Sequence, residues 1–362
     1  MGSVYLKEEV LFLPYLIVGN PSIKQGKPFE SYIIYKKVII IPTRWLYIFY
    51  KIQSTMRLNH RNIQLYERRI RMTIQTIGVV GAGSMGSGIA NLAAVSGYQV
   101  ILRDVEERFV EGGIARIDKF MSRSVEKGKM TEEEKAETLG RITTTTDIED
   151  LKDADVVIEA IIEDMDAKKS VFAELDRIIP EDVILATNTS SMSITEIASA
   201  TNRADRVAGM HFFNPAQLMK LVEVVRGFNT SDETIEQLRE LSKNLGKEPV
   251  TVNKDTPGFI VNRIMTPQFI EAIRILEEGI ASAEDIDKAV TLGLNYPMGP
   301  FTLQDYAGVD IGYYVMEYMA DEFDDARFAP PMYLKQMMRA GRYGKKAGAG
   351  FYDYEKDPVS NK

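Results

Sequence analysis

The sequence predicts an open parallel α/β sheet covered by helices on both faces, followed by an all-helical domain, and three observations carry that prediction. From Thr73 onward, short β-branched runs alternate with amphipathic helical stretches, the pattern of a sheet buried on both sides. A glycine-rich turn joins the first of those strands to the first helix. After Pro257 the β-branched runs stop, and helical segments follow, divided by Gly279, Gly293, Pro297, Pro300 and the Pro330-Pro331 pair.

Taken in order, residues 74–80 read as the first buried strand, 84–96 as the helix leaving the turn, and 99–104 as the second strand. The charged stretch 106–137 contains Gly128 and, three residues before Glu134, a capping Thr131, so two helices joined by a turn are expected. Further strands are expected at 156–160, 183–187, 206–211 and 221–225, with helices at 168–178 and 233–245. Residues 248–252 form the last strand and close the sheet before Asp255. This divides the chain into a basic extension (1–71), a sheet domain (72–254), a helical domain (255–355) and a short tail (356–362).

The 362 residues, 45% of them hydrophobic, suffice for a large core without covalent staples. Cysteine is absent, which removes disulfides, thiolate metal sites and thiol nucleophiles; no metal is expected, and a reducing, cytoplasmic setting fits. A net charge of -8 argues against nucleic acid and for a small-molecule partner. The charge is unevenly placed. Residues 1–71 hold 12 basic against four acidic side chains, a surplus of +8, which leaves -16 on the remaining 291. The apolar run in this extension, Val38 to Tyr50, is broken by Arg44 and flanked by Lys36 and Lys37, so no membrane span is expected. A transit-like or membrane-surface segment is one reading of the extension; the other is that translation begins at Met72 and the upstream residues take no part in chemistry.

The strongest local signal is Gly81-Ala82-Gly83-Ser84-Met85-Gly86, set after a buried strand and opening a helix. The first glycine allows a tight turn, the second a close approach of backbone amides to pyrophosphate, and the third close helix–strand packing, as in a Rossmann-type dinucleotide-binding domain. The helix N-terminus faces the phosphates. Asp104, 18 residues beyond Gly86, ends the second strand, where its carboxylate can accept both adenosine ribose hydroxyls and repel a 2′-phosphate. Val105 follows rather than a basic residue, so NAD is favoured over NADP, with Arg103 and Arg108 pulling the other way.

Hydride removal from a secondary alcohol needs a base for the hydroxyl proton, and imidazole has the side-chain pKa best placed for it. The chain has two histidines. His60 lies in the basic extension; His211 ends a predicted strand, at the sheet edge where open α/β folds bind ligands. Glu223, 12 residues on and on the next predicted strand, is a candidate to hold the other ring nitrogen, or else an ordinary charged strand residue.

These residues resemble the 3-hydroxyacyl-CoA dehydrogenase family, especially its short 3-hydroxybutyryl-CoA members. The resemblance runs through GAGSMGSGIA from Gly81, VIEAIIED from Val157, NTSS from Asn188, HFFNP from His211, MKLVEVV from Met219, DTPGFIVNR from Asp255, YPMGPFTLQDYAG from Tyr296 and GKKAGAGFY from Gly344. It implies reversible oxidation of an L-3-hydroxyacyl thioester of coenzyme A by NAD. His211 would take the proton, Glu223 would orient it, and Ser190 and Asn262 would hold the substrate oxygen and the active geometry. Cofactor contacts would fall to Gly81, Gly83, Ser84, Met85, Gly86, Asp104, Glu163, Lys168, Asn214 and Lys346. Lys119 and Ser122, in the helical insertion, would meet the coenzyme A end of the acyl-CoA substrate. The resemblance also implies a homodimer built on the helical domain, where Phe269, Ile273, Leu276, Tyr313, Tyr314 and Met316 make apolar faces. The extension has no counterpart in the family.

Taken alone, several of these residues also have plain readings: Ser190 in a turn after a strand, Asn262 at a helix start, Glu163 and Lys168 as a solvated charge pair. Two other functions stay open on the residues. Dehydrogenases of other hydroxy acids, sugar nucleotides or polyol phosphates combine the same domains, but several rely on catalytic lysine or cysteine. A non-catalytic NAD binder, like the lens crystallins recruited from such dehydrogenases, would be marked by loss of the base.

Overall fold

The computed structural model describes residues 74–354 together with two short strands, β1 (Ile33–Ile34) and β2 (Lys37–Val38). The chain divides into two compact units, Met1–Arg71 and Met72–Lys362. In the first, β1 and β2 pair antiparallel, with Ile33 opposite Val38. The apolar run beyond Val38, His60, Met72 and the tail at 356–362 lie outside the described residues.

The second unit is organised by a sheet of eight strands: β3 (Thr76–Val80), β4 (Gln99–Arg103), β5 (Ile142–Thr145), β6 (Val156–Glu159), β7 (Ile184–Thr187), β8 (Val207–Phe212), β9 (Leu221–Arg226) and β10 (Glu248–Val252). Their order is β10-β9-β8-β7-β6-β3-β4-β5. The chain runs outward from β3 through β4 to β5, then returns to β6 on the other side of β3. The crevice at the carboxyl ends of β3 and β6 is therefore the switch point at which such sheets bind ligands.

Two features differ from the expected sheet. β5 was not expected: it reads Ile-Thr-Thr-Thr at an edge and carries little apolar signal. The sheet is also not wholly parallel, because β9 runs antiparallel to β8. Only eight residues separate these strands, too few for the crossover that a parallel pair requires. β9 and β10 are parallel again, joined through helix α6 (Asp232–Asn244).

Period-two alternation sends successive side chains to opposite faces. Ile77, Val79, Ile158, Ala186, Met210, Phe212, Val222 and Val224 pack beneath α1 (Ser84–Val95), α2 (Glu107–Glu126) and α6. Val80, Val157, Leu185, Val207 and Val225 pack on the other face with α4 (Met165–Ile178) and α5 (Ile194–Ala198). By the same alternation Glu159, Thr187, His211 and Glu223 belong to this second face. The helical hairpin forms as expected: α3 (Glu132–Gly140) starts with a Thr131–Glu134 capping box, and Gly128 takes φ +64° in the preceding turn.

Beyond β10 the described chain is helical: α7 (Val261–Glu277), α8 (Ala283–Gly293), α9 (Pro300–Ala307), α10 (Val309–Phe323) and α11 (Met332–Arg339). Ile273, Ile286, Phe301, Val309, Met316, Leu334 and Met337 form its core. Two buried carboxylates lock residues 351–354 onto that core. Asp305 accepts from the amides of Phe351 and Tyr352 and from Tyr354 Oη; Asp287 accepts from the amides of Phe301 and Thr302 and from Tyr352 Oη. Burial, reinforced by these carboxylates, pushes both tyrosine hydroxyls to higher pKa, so they stay protonated donors.

Candidate active site

The glycine turn is shaped by close approaches that side chains would block. Gly81 has φ +101°, and a Cβ there would lie 2.5 Å from the Ala160 carbonyl oxygen, at the end of β6. A Cβ on Gly86 would lie 1.7 Å from the Gly81 oxygen, so only glycine lets α1 sit this tightly on the turn. Gly83, at the N-cap of α1, faces open space instead: a Cβ would meet nothing within 4 Å. The first turn of α1, with Ser84 exposed and Met85 half-buried, has no acidic residue and no side-chain cap, so its amide dipoles point at that space unopposed.

Asp104 stands beside this turn. Its Oδ2 accepts from Ala82 N at 2.6 Å and its Oδ1 from Val105 N at 2.7 Å, which fixes the carboxylate and leaves lone pairs free for ribose hydroxyls. Arg116 of α2, which the sequence did not single out, donates to the Ala82 carbonyl and pins the turn from the other side. Arg103 donates to the Thr146 carbonyl, and Arg108 pairs with Glu106. Open cradle, glycine conformations and placed carboxylate together fit a dinucleotide.

The second group of residues is assembled by strand register. His211 lies directly opposite Glu223 in the antiparallel β8–β9 pair, so their side chains share a face. His211 Nδ1 is 2.7 Å from Glu223 Oε2. Glu223 is wholly buried, and its Oε1 accepts from the amides of Ile260 and Val261, both at 3.0 Å. These are leading N–H groups of α7, which has no side-chain cap of its own; the strand carboxylate supplies the cap. Phe213 and Phe259 flank the imidazole, with ring centroids 4.5 and 5.7 Å away. His211 is one residue short of the end of β8, since Phe212 still belongs to the strand.

Asn262 follows Val261 and links this dyad to the loop after β7: its Nδ2 donates to the Ser190 carbonyl at 3.2 Å. Ser190 in turn donates to Glu163 Oε1 from its amide at 2.7 Å and from Oγ at 3.2 Å. Glu163 Oε2 lies 3.1 Å from Lys168 Nζ, which bonds Glu159 Oε1 at 2.8 Å. The solvated-pair reading fails for Lys168, which is 1% exposed. Burial works against its charge most strongly, but Glu159 and Glu163 outweigh it and hold its pKa above the usual lysine value. Glu163 has 38% of its side chain exposed; desolvation is again the largest single influence on it, but Lys168, Thr189 and Ser190 together overcome it and keep the carboxyl below its usual range.

Glu159 is the buried carboxylate beside these residues that sequence reasoning missed. It is fully buried and also accepts from Thr187 Oγ1 and Ile161 N, each at 2.7 Å. An acid ending an otherwise apolar strand, Val-Val-Ile-Glu, nine residues before a lysine on the next helix, was the available signal.

The remaining expected residues are more dispersed. Asn214 is exposed and precedes Pro215 across a cis peptide; the loop it opens packs on α1, where a Cβ on Gly88 would lie 3.2 Å from Ala216 Cβ. Lys119 is exposed on α2, while Ser122 accepts from Lys135. Lys346 lies in the helical domain, bonded to Asp310 at 2.7 Å. The structure does not bring it onto the glycine turn by any hydrogen bond or ion pair.

Two family models match the chain: 3-hydroxyacyl-CoA dehydrogenase, NAD binding domain, over residues 76–256, and 3-hydroxyacyl-CoA dehydrogenase, C-terminal domain, over 258–354. A 3-hydroxybutyryl-CoA dehydrogenase of Clostridioides difficile is 48% identical over 280 residues, covering 77% of this chain and 99% of that protein. The mitochondrial hydroxyacyl-coenzyme A dehydrogenase of Sus scrofa is 44% identical over 293 residues, 79% of this chain and 93% of that one. Among solved structures, the (S)-3-hydroxybutyryl-CoA dehydrogenase of Ralstonia eutropha superposes with a TM-score of 0.76 at 47% identity, covering 78% of this chain and all of that one. With a glycine cradle, a placed carboxylate and a buried His–Glu pair already in the structure, the chain belongs to the 3-hydroxyacyl-CoA dehydrogenase family.

Proposed function

We propose that His211, Glu223, Ser190 and Asn262 carry out the family's reaction here, the reversible NAD-dependent oxidation of L-3-hydroxyacyl-CoA, with 3-hydroxybutyryl-CoA as substrate. The observation that carries this reading is the 2.7 Å contact of His211 Nδ1 with a carboxylate that is itself held by two backbone amides. Because Glu223 accepts at Nδ1, the proton of a neutral imidazole resides there and Nε2 keeps its lone pair. Nε2 takes the proton of the substrate 3-hydroxyl, and the buried carboxylate steadies the imidazolium that results.

NAD, when bound, supplies the hydride acceptor. The residues proposed to hold it are Gly81, Gly83, Ser84, Met85, Gly86 and Asp104 at the turn, with Glu163, Lys168 and Asn214 nearby; Lys346, bonded to Asp310, is the outlying member of the set. The Ser190 hydroxyl and the Asn262 amide are assigned to the substrate oxygen, and the Asn262 bond to the Ser190 carbonyl fixes the loop that bears the serine. Lys119 and Ser122, on the insertion, are assigned to the coenzyme A end, where basic side chains attract its phosphates.

In this reading residues 72–254 bind the cofactor and 255–355 bind the acyl group and dimerise, and no part in the reaction is assigned to 1–71 or 356–362. The helical domain leaves Ile264, Leu292, Leu294, Ile311 and Tyr314 more than half exposed, which supports a homodimer through that domain. Among the described residues no helix is long and apolar enough to cross a membrane. We assign the enzyme to the cytoplasm, where NAD and acyl-CoA thioesters are both dissolved.

The test is NADH consumption with acetoacetyl-CoA, followed by initial rates over a series of acyl chain lengths. No turnover with any 3-ketoacyl-CoA would remove the assignment. Sedimentation showing only monomer at micromolar concentration would remove the dimer.

A further inference from the structure

We propose that Thr189 is a positioning residue for the reaction, whose buried hydroxyl keeps the neighbouring Ser190 hydroxyl available to substrate. The proposal rests on Ser190 being the residue that meets the substrate oxygen. Three donors converge on Glu163 Oε1: Thr189 Oγ1 at 2.7 Å, Ser190 N at 2.7 Å and Ser190 Oγ at 3.2 Å. A carboxylate oxygen offers two lone pairs, so the two short bonds occupy it and the serine hydroxyl is the surplus, weakly held donor. Ser190 can turn its hydroxyl to a substrate oxygen at the loss of only that longest bond, while its amide stays fixed.

The Thr189 proton has no other place to go. The side chain is wholly buried, and its oxygen already accepts from Met192 N at 3.0 Å, which leaves its one O–H for Glu163. The Thr189 amide donates to Thr187 Oγ1, which donates to Glu159 Oε2; Glu159 Oε1 and Glu163 Oε2 share the Lys168 ammonium. The bonds therefore close a ring through Glu159, Thr187, Thr189, Glu163 and Lys168, set by the parallel register of Glu159 with Thr187. In such a ring Glu163 cannot swing away to compensate for a missing donor. Without the threonine hydroxyl, a lone pair on Oε1 falls vacant and the serine hydroxyl, already 3.2 Å away, takes it. The serine proton is then withheld from substrate.

The experiment compares the full-length wild type with Thr189→Val, Thr189→Ser, Ser190→Ala and the Thr189→Val/Ser190→Ala double variant. The readouts are kcat and KM for acetoacetyl-CoA with NADH, the NADH Kd by fluorescence titration, and the thermal midpoint. Thr189→Val should lose about ten- to a hundredfold in kcat, the range for one hydrogen bond to a charged group, and Thr189→Ser should return to within about threefold of wild type. The double variant should be no slower than Ser190→Ala, because the hydroxyl that Thr189 protects is already gone. Wild-type kcat in Thr189→Val, or a double variant slower than Ser190→Ala by the whole Thr189→Val factor, overturns the proposal. If Thr189→Val does not fold, Thr189→Ala uncovers the same lone pair and is judged by the same comparison. An inactive wild type that still binds NADH would instead sink the assignment of the reaction, and this proposal with it.

Discussion

Glu223 divides its carboxylate between His211 Nδ1, at 2.7 Å from Oε2, and the leading amides of α7, at 3.0 Å from Oε1. The orientation of the base is thereby tied to the docking of the helix that opens the C-terminal domain. Asn262, next on that helix, extends the tie to the Ser190 loop.

The two roles of Glu223 separate by substitution. Glu223→Gln keeps an oxygen to accept from the α7 amides, but turns an NH2 group toward Nδ1 and so favours the tautomer in which Nε2 bears the proton. Activity should fall about 10^3- to 10^4-fold with little change in the urea midpoint. Glu223→Ala should lose the same activity and, in addition, roughly 3 kcal/mol of stability, because two buried amides lose their acceptor. Equal stability in the two variants would show that the α7 contacts do not matter to the fold.

His211→Gln removes the proton acceptor while leaving the glycine cradle untouched. The expected loss in kcat is roughly a hundred- to ten-thousand-fold, the usual range for acid–base catalysis. The NADH Kd by fluorescence titration should stay within about threefold of wild type. Unchanged turnover would mean that the base has been assigned to the wrong residue.

At the cofactor turn, Gly86→Ala places a methyl group 1.7 Å from the Gly81 oxygen, so the helix must move off the turn and NADH binding should be lost. Asp104→Ala acts differently. It removes the acceptor for Ala82 N and the negative charge facing a 2′-phosphate, so KM for NAD should rise at least about tenfold while discrimination against NADP narrows. Retained preference for NAD in Asp104→Ala would locate specificity elsewhere, with Arg103 and Arg108 the first residues to examine.

Much of this site was legible because it depends on short-range pattern. The glycine turn, the strand before it and Asp104 after the next strand follow from residue type and spacing, and the structure needs Gly81 and Gly86 for contacts that a methyl group would block, while Gly83 borders the open space of the cradle. What was not legible depends on pairing at long range. The β-branched run Ile142–Thr145 carries strand propensity but almost no apolar signal, which is why this edge strand did not stand out. The 12-residue interval from His211 to Glu223 becomes a contact only because β9 runs antiparallel, a direction that the short β8–β9 connection could have revealed. Glu159, Thr187 and Thr189 are separated along the chain and look unremarkable there; only the β6–β7 register puts them in one hydrogen-bonded ring with Lys168.

The latch at the end of the helical domain offers a test of folding. A Cβ on Gly350 would fall 1.9 Å from Asp305 Oδ1, in the path of the amides and hydroxyl that satisfy this buried carboxylate. Gly350→Ala should displace residues 351–354 from Asp305 and cost about 2–4 kcal/mol, read as a lower urea midpoint, because a buried carboxylate is left with too few donors. Wild-type stability would show that residues 351–354 contribute little to the domain.

The Glu163–Lys168 pair gives stability a defined dependence on pH. Folding lowers the Glu163 pKa from its usual 4.5, so its contribution is complete above that value and is lost as pH falls through the lower folded pKa. Folding raises the Lys168 pKa above 10.5, so its contribution is complete below that value and is lost only as pH rises through the higher folded one. Between those limits the pair contributes a constant amount. Glu163→Gln keeps an oxygen for Thr189 and Ser190 but gives up the attraction to Lys168. The stability difference between wild type and Glu163→Gln should therefore be level across neutral pH and shrink on acidification below 4.5. Urea midpoints of both proteins, measured near neutrality and again in acid, check it. A difference that stays constant into acid would mean that ionised Glu163 gains nothing from the fold.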